Sequence, residues 1–273
     1  MSETTGGRTG PILDHLALAS RRAWDNLIRY GDQFGGRWLA GPTDPAEDPF
    51  YFCHLEFAGG TKLELLEPYP GPGSDFLTRF LHRNGPGPHH LTFKVQDIEA
   101  AMATAGDLGY QIVNTQLESE DWKEAFLHPK QSHGIVIQLA QQGPDAGWDE
   151  PSPLPPTAQP QATIVGLTHL VTDLDAATTL FTDGLGMTVS REDDGPMGRS
   201  TILTSGPWRL RLVTPSAPGP VQWLGDRPGR LLQIEMEVDH PELVADLRPI
   251  EGGFELPPDK NQGTRVLLRT RTG

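Results

Sequence analysis

Cysteine and positive charge are both scarce in this 273-residue chain. The single cysteine, Cys53, excludes an intrachain disulfide and suits a reducing compartment. It falls among the apolar residues of a predicted strand, which favours a core position over a role as a nucleophile. Lys and Arg number 22 against 36 Asp and Glu, giving a formal net charge of -14. That charge argues against nucleic acid or an anionic membrane surface as the main partner, since both attract clustered cations.

Long apolar runs are also missing. No stretch approaches the roughly 18 apolar residues that a membrane-spanning helix needs. The polar residues 1–10 lack the apolar segment of an export signal and are expected to be disordered. We therefore expect a cytoplasmic protein.

Proline is abundant in one place, and its position divides the chain. Residues 143–162 hold six prolines without any periodicity, which predicts an extended, semi-rigid linker. The flanking stretches, 11–142 and 163–273, each have the length of an ordinary domain, about 100 to 200 residues. Two domains joined by a linker are the expected organisation.

A pattern of one strand, one helix and three strands recurs along the chain. It starts at Ile12 and again near Pro88, and two further copies follow the linker. Within it, Asp97 is a predicted N-cap of a helix that Gly109 ends, and Ser20 is a predicted N-cap of a helix over residues 21–36. The fold class is therefore α+β, with four βαβββ modules in two tandem domains.

Four polar residues stand at matched positions in the first two modules. His15 and Glu64 are 49 residues apart, and His90 and Gln138 are 48 apart. Period-two alternation places His90 on the polar face of its strand and His89 on the opposite face, toward a helix layer. Imidazoles with oxygen ligands suit a divalent metal. Hydrogen-bonded core histidines are the alternative interpretation.

Several segments of residues 11–142 resemble the vicinal oxygen chelate superfamily (glyoxalases, bleomycin-resistance proteins and extradiol dioxygenases), and methylmalonyl-CoA epimerases in particular. The resemblance rests on DHLAL, TKLELLEP, GPHHLTFKVQDIEAA and GIVIQLAQ. Residues 163–273 resemble the superfamily only through the repeated module. The resemblance implies that pairs of modules curve into half-open cups with the helices outside.

The same resemblance implies one divalent metal (Co, Zn, Ni, Mn or Fe) held by His15, Glu64, His90 and Gln138. Most epimerases have glutamate at the position of Gln138, and a carboxamide can bind a metal but cannot act as a base. The implied function is a metal-dependent epimerase or isomerase that moves a proton next to a carbonyl or thioester, on a small molecule such as an acyl-CoA. A homodimer is compatible with this family.

The proton-transfer groups are less well defined. Glu64 itself, His54 and Glu56 are the candidates, although for the latter two a solvent-facing strand edge is the commoner role. The epimerase glutamate that acts as a base has no clear match in this chain. A glyoxalase-like lyase uses a bound metal in the same way, to stabilise charge on a substrate oxygen. A non-catalytic binding or resistance protein needs no base at all. Both alternatives stay open.

The second domain is expected to differ from the first. Aligning its modules with those of the first domain predicts the set His169, Arg211, Gln233 and Arg269 at the four ligand positions. Two arginines would repel a cation, so we expect this half to be metal-free. The arginines either hold a carboxylate or phosphate, or belong to a degenerate module filled with internal hydrogen bonds. The pattern argues against an extradiol dioxygenase, which keeps its iron ligands in the C-terminal pair.

Overall fold

The computed structural model describes residues 10–41, 49–71, 75–143 and 160–271. Two eight-stranded sheets of matching topology make up these residues, in the orders β2-β3-β4-β1-β5-β8-β7-β6 and β10-β11-β12-β9-β13-β16-β15-β14. The strands of the first sheet are β1 Ile12–Ala19, β2 Arg37–Ala40, β3 Phe50–Glu56, β4 Lys62–Pro68, β5 Gly87–Lys94, β6 Ile112–Gln116, β7 Trp122–Leu127 and β8 Val136–Gln142. Those of the second are β9 Thr163–Val171, β10 Thr188–Gly195, β11 Gly198–Ser205, β12 Trp208–Pro215, β13 Gly229–Val238, β14 Arg248–Ile250, β15 Gly253–Leu256 and β16 Val266–Thr270.

Five α-helices accompany the sheets in the described residues: α1 Ala23–Leu27, α2 Asp75–Asn84, α3 Ile98–Asp107, α4 Leu174–Thr179 and α5 Pro218–Leu224. Helices α1 and α4 continue as π-helical turns. The fold confirms the α+β class and the repeated module. The fourth module is an exception, because its predicted helix is only a 3₁₀ turn at Pro241–Leu243. None of the helices in the described ranges is both long and apolar enough to cross a bilayer.

The helix caps test the sequence expectations directly. Asp97 caps α3 as predicted, since its Oδ1 accepts from the Ala100 N–H at 3.0 Å. The Ser20 prediction is wrong: the N-cap of α1 is Arg22, and the Ala23 N–H donates to Glu67 Oε2 at 2.7 Å. A carboxylate from β4 thus supplies the acceptor that a helix start needs.

One continuous apolar core joins the two sheets. Its buried members come from both halves of the chain, and the rings of Phe93 and Phe181 lie 6.2 Å apart across the junction. Cys53 is confirmed as a buried core residue. The predicted tail 1–10 and linker 143–162 fall almost entirely outside the described residues. The described end of the linker is packed, because the buried Ala162 donates its N–H to the Phe34 carbonyl.

Helix α2 packs on the other face of the first sheet. Its Leu77 and Leu81 form a separate buried cluster with Ala17, Ala19 and Leu66. The small side chains of Ala17 and Ala19 leave room for α2 on this face. The polar residues of β1, β4 and β5 therefore sit in a concavity that α2 partly covers.

Candidate metal centre

Three neighbouring strands bring His15, Glu64 and His90 together. Ala17 on β1 is the register partner of both Glu64 on β4 and His90 on β5. His15 lies two residues before Ala17 on β1 and points to the same face. Glu64 Oε2 is 3.6 Å from His15 Nε2 and 3.2 Å from His90 Nε2. The sequence-predicted convergence of these three residues is what the structure contains.

His15 is oriented by a carboxylate that the sequence analysis missed. Its Nδ1 donates to Asp14 Oδ2 at 2.8 Å, which leaves Nε2 facing Glu64. Burial alone would lower the pKa of His15, but hydrogen bonding to Asp14 and the facing Glu64 carboxylate raise it to about 9. Lys62 donates to the other Asp14 oxygen at 2.8 Å. A carboxylate behind a histidine is the usual support for a metal-ligating imidazole. The only sequence signal was the adjacency of Asp14 and His15.

His90 is oriented by its neighbour. His89 Nδ1 and His90 Nδ1 are 2.8 Å apart, so one of them donates to the other. Burial and the nearby His90 lower the pKa of His89 to about 3, which keeps His89 neutral. The prediction that His89 lies on the face of β5 opposite His90 is wrong. A β-bulge at the Ala17–Leu18 step breaks the alternation, and His89 packs against Phe76 and Phe80 of α2.

Glu64 is held by a third histidine. His54 Nε2 lies 3.2 Å from Glu64 Oε1, and the His54 and His15 rings are 4.6 Å apart. Burial would raise the pKa of the Glu64 carboxyl, but the facing His15, His54 and His90 hold it well below its usual range. The carboxylate is therefore ionised at neutral pH. With Oε1 engaged by His54, Oε2 remains as the oxygen that points at the other two histidines.

The donor atoms of this cluster fit a metal ion. His15 Nε2, Glu64 Oε2 and His90 Nε2 are all buried without a hydrogen-bond partner. The three atoms lie within 4.8 Å of one another. Buried polar atoms without partners are costly, and a cation among two imidazole nitrogens and a carboxylate oxygen would satisfy all three. Among the described residues, no other group of His, Cys, Asp and Glu has this geometry.

Gln138, the fourth expected ligand, is engaged elsewhere. It is the register partner of Thr92, which lies two residues after His90 on β5. Its Oε1 accepts from Thr92 Oγ1 at 2.5 Å, and its Nε2 donates to Glu124 Oε2 at 2.7 Å. Both ends of the carboxamide are thus used by protein groups. Gln138 as a metal ligand stays a prediction.

The two predicted proton-transfer residues are placed differently. His54 adjoins the cluster, with only 14% of its side chain exposed. Glu56 is two residues along the same strand, 32% exposed and 3.8 Å from Arg37. The structure therefore brings His54, but not Glu56, into contact with two of the candidate ligands, Glu64 and His15.

The second sheet carries a different set of residues at the corresponding positions. Its register pairs Arg211 and Gln233 with Thr168, so both stand where Glu64 and His90 do in the first sheet. His169 does not correspond to His15: the register gives that position to Gly166. The fully buried His169 instead donates its Nε2–H to the His133 carbonyl at 2.7 Å.

The remaining predicted residue of the second sheet, Arg269, is also displaced. It pairs with Glu237 near the exposed end of β16, and Leu267 takes the position equivalent to Gln138. The predicted alignment is wrong at this position, because the register pairs Glu235, the counterpart of Thr92, with Leu267. Glu235 accepts from Thr168 Oγ1 at 2.9 Å and from Gln233 Nε2 at 3.3 Å. These hydrogen bonds pair the side chains of Thr168, Gln233 and Glu235 with one another, and the degenerate module stays a prediction.

Comparisons with known proteins follow the same division of the chain. Residues 14–126 match the family model described as the Glyoxalase/Bleomycin resistance protein/Dioxygenase superfamily. No curated protein matches the sequence. Among solved structures, a xylose isomerase-like TIM barrel/4-hydroxyphenylpyruvate dioxygenase fusion protein is 16% identical with a TM-score of 0.57, and the match covers 88% of this chain and 39% of that one. This likeness supports the tandem fold.

Two methylmalonyl-CoA epimerases match about half of the chain. A Streptomyces coelicolor variant in complex with 2-nitronate-propionyl-CoA is 24% identical with a TM-score of 0.42, and the match covers 49% of this chain and 98% of that one. The enzyme from Mycobacterium tuberculosis is 22% identical with a TM-score of 0.44, covering 52% of this chain and 95% of its own.

Proposed function

We propose that this protein, whose residues 14–126 match the model of the glyoxalase, bleomycin resistance protein and dioxygenase superfamily, is a metal-dependent epimerase or isomerase that moves a proton next to a carbonyl or thioester. The observation that carries the proposal is the trio of buried, partnerless donor atoms on His15, Glu64 and His90. They would hold one divalent ion of Co, Zn, Ni, Mn or Fe. The substrate is a small molecule, and the resemblance of residues 11–142 to epimerases favours an acyl-CoA thioester.

The chemistry divides between the ion and the chain. When bound, the metal supplies Lewis acidity that stabilises negative charge on a substrate oxygen. His54 is the proposed proton acceptor, because burial lowers its pKa and keeps it neutral. Its Nε2–H donates to Glu64 Oε1, so Nδ1 is the nitrogen left to take a proton. Glu56, further along β3, is the second candidate for this role.

Two alternatives follow from other features. A glyoxalase-like lyase would use the same ligands on a different substrate. A non-catalytic binding protein is favoured by the engaged carboxamide of Gln138 and by the aromatic residues beside the cluster, among them Phe52, whose ring is 5.6 Å from that of His54. Such a surface suits an apolar ligand that is bound without turnover.

Metal content measured by mass spectrometry on untagged protein tests the proposal. About one ion per chain is expected in the wild type and in His82→Ala, which removes an exposed histidine of α2. His90→Ala should lose the ion. Loaded protein should then exchange solvent deuterium into an acyl-CoA substrate at the carbon next to the thioester. No metal after loading with Co, Ni, Mn and Zn would reject the enzyme and leave the binding protein.

A further inference from the structure

A cleft of about 450 Å³ opens where the end of α2 meets the region around α5 of the second half. We call it the interlobe cleft; its polar and aromatic lining includes Asn84, Trp223, Arg230, Lys260 and Gln262. A smaller pocket of about 140 Å³ shares Asn84, Trp223 and Arg230 with it and is also lined by Arg227 and His89; the name interlobe cleft covers both pockets. Backbone contact closes its floor, since a side chain at Gly263 would meet the Pro86 carbonyl. The cleft therefore exists only because the two halves pack together.

Three cationic side chains, those of Arg227, Arg230 and Lys260, line the interlobe cleft against one carboxylate. Arg227 donates to Asn84 Oδ1 at 3.1 Å, and Arg230 donates to the Trp223 carbonyl at 2.9 Å. Within the described ranges, neither arginine forms an ion pair with a carboxylate, and neither does Lys260. Asp259 is the carboxylate in the lining, and it lies 3.8 Å from Arg248. For a chain with a net charge of -14, such a gathering of cations is exceptional.

The arginines are also held in place. The Arg230 guanidinium lies 3.9 Å over the Trp223 ring, which fixes its plane. Partial burial and the charge of Arg227 lower the pKa of Arg230, so the two cations repel each other. An anion between them would relieve this repulsion. Planar guanidinium groups bind phosphate oxygens through paired hydrogen bonds, and hydroxyl- or amide-bearing neighbours such as Asn84 and Gln262 suit the same ligand.

We propose that the interlobe cleft is a second ligand site, which binds a small molecule through a phosphate or diphosphate group held by Arg227 and Arg230. The volume is that of a site for a small organic ligand. The proposal rests on residues of the second half and does not depend on metal binding at His15, Glu64 and His90. It gives the second half a role in ligand binding.

Calorimetric titration with pyrophosphate and with ADP, on the full chain at low ionic strength, tests the site. Wild-type protein should bind one equivalent of at least one of them, and Arg227→Gln/Arg230→Gln should weaken that binding at least about tenfold, since each lost charge-assisted pair contributes more than a kcal/mol. The matched control Arg191→Gln/Arg199→Gln removes the same charge from exposed ion pairs of the second sheet and should leave the affinity within about twofold.

The two probes also separate two sources of the phosphate. Tighter binding of ADP assigns the site to the phosphate tail of an organic ester, and equal affinities assign it to the phosphate group alone. The absence of saturable binding of either probe up to about 10 mM, an affinity below about 3 kcal/mol, would overturn the proposal. So would an equal loss in the control variant, because the effect would then reflect net charge. The titration can be made on metal-free protein, so it tests the interlobe cleft even if the metal proposal for His15, Glu64 and His90 is rejected.

Discussion

The candidate metal centre depends on single contacts made by individual residues. Two histidines present Nε2 because their Nδ1 atoms are engaged by Asp14 and His89, and Glu64 presents Oε2 because His54 engages Oε1. Each ligand is thus aimed by one neighbour. Outer partners of this kind commonly change metal affinity by 10- to 100-fold.

Replacing His54 tests this aiming of Glu64. His54→Phe should weaken Zn or Co binding by about 10- to 100-fold, because Oε1 loses its hydrogen bond and the carboxylate is free to turn. Competition with a chromophoric chelator measures the affinity. Glu56→Gln, on the same strand and face, is the control and should bind as the wild type does. Unchanged affinity in His54→Phe would show that Glu64 is positioned without His54.

His169 provides a residue-scale test away from the metal centre. Burial lowers its pKa from 6.5 to about 4, so the unfolded chain takes up a proton at this residue before the folded chain does. Its contribution to stability is therefore complete above about pH 6.5 and is lost as the pH falls toward 4. The free energy of unfolding should fall by up to about 1.4 kcal/mol per pH unit in this window on account of His169.

His169→Leu, which cannot titrate, isolates that contribution. We expect urea denaturation between pH 7 and pH 5 to give a shallower loss of unfolding free energy than in the wild type. His240→Leu, an exposed histidine of the same half, should keep the wild-type slope. Parallel slopes for His169→Leu and the wild type would mean that the pKa of His169 is the same in the folded and the unfolded protein.

At the scale of elements, helices α1 and α3 are each anchored by a side-chain acceptor at the first turn. Asp97 caps α3 locally, from the position next to the first helical residue, whereas Glu67 caps α1 from a neighbouring strand. A cap that is adjacent to its helix in sequence can be predicted from a sequence pattern, but a cap from a remote part of the chain cannot. This difference explains why Asp97 was predicted correctly and the start of α1 was not.

Removing the local cap should have the usual cost. Asp97→Ala is expected to lower the free energy of unfolding by about 1 kcal/mol, because the Ala100 N–H loses its acceptor. Asp97→Asn keeps an acceptor oxygen and should cost only a few tenths of a kcal/mol. Chemical denaturation of the three proteins measures both changes. Equal losses in the two variants would attribute the effect to charge and not to the cap.

At the scale of the whole molecule, the two halves touch through their backbones. We propose residues 11–142 and 163–273 as two domains linked by 143–162, yet their cores are continuous. Trp208 of the second sheet donates to the Asp14 carbonyl at 3.2 Å, next to the metal centre. The second half therefore supports the first, and we expect one cooperative unfolding transition.

Gly229 tests this contact between the halves. A Cβ there would lie 1.8 Å from the His133 carbonyl oxygen, so Gly229→Ala must push the halves apart. We expect a loss of about 1 to 3 kcal/mol, the usual cost of overpacking, with a lower melting temperature. Gly195→Ala, also in a strand but with open space around it, should be nearly neutral. A neutral Gly229→Ala would show that the halves are not in close contact.

The sequence by itself determined the module repeat, the local cap at Asp97 and three of the polar residues that meet in the first sheet. These features depend on alternation along one strand and on spacing along the chain, so they can be predicted without knowing which strands are neighbours. His15, Glu64 and His90 converge because each stands on the polar face of its strand and the three strands are neighbours.

Only the tertiary structure decided which side chains are in contact across strands and between the two halves of the chain. A bulge, which is set by the pairing of two strands, shifted His89 toward α2. The register of β9 with β12 and β13 separated His169 from the position of His15. The engagement of Gln138 by Thr92 and Glu124 likewise needs three strands in register. The cations of the interlobe cleft meet only when the two cores join, because that contact is long-range and no local pattern encodes it.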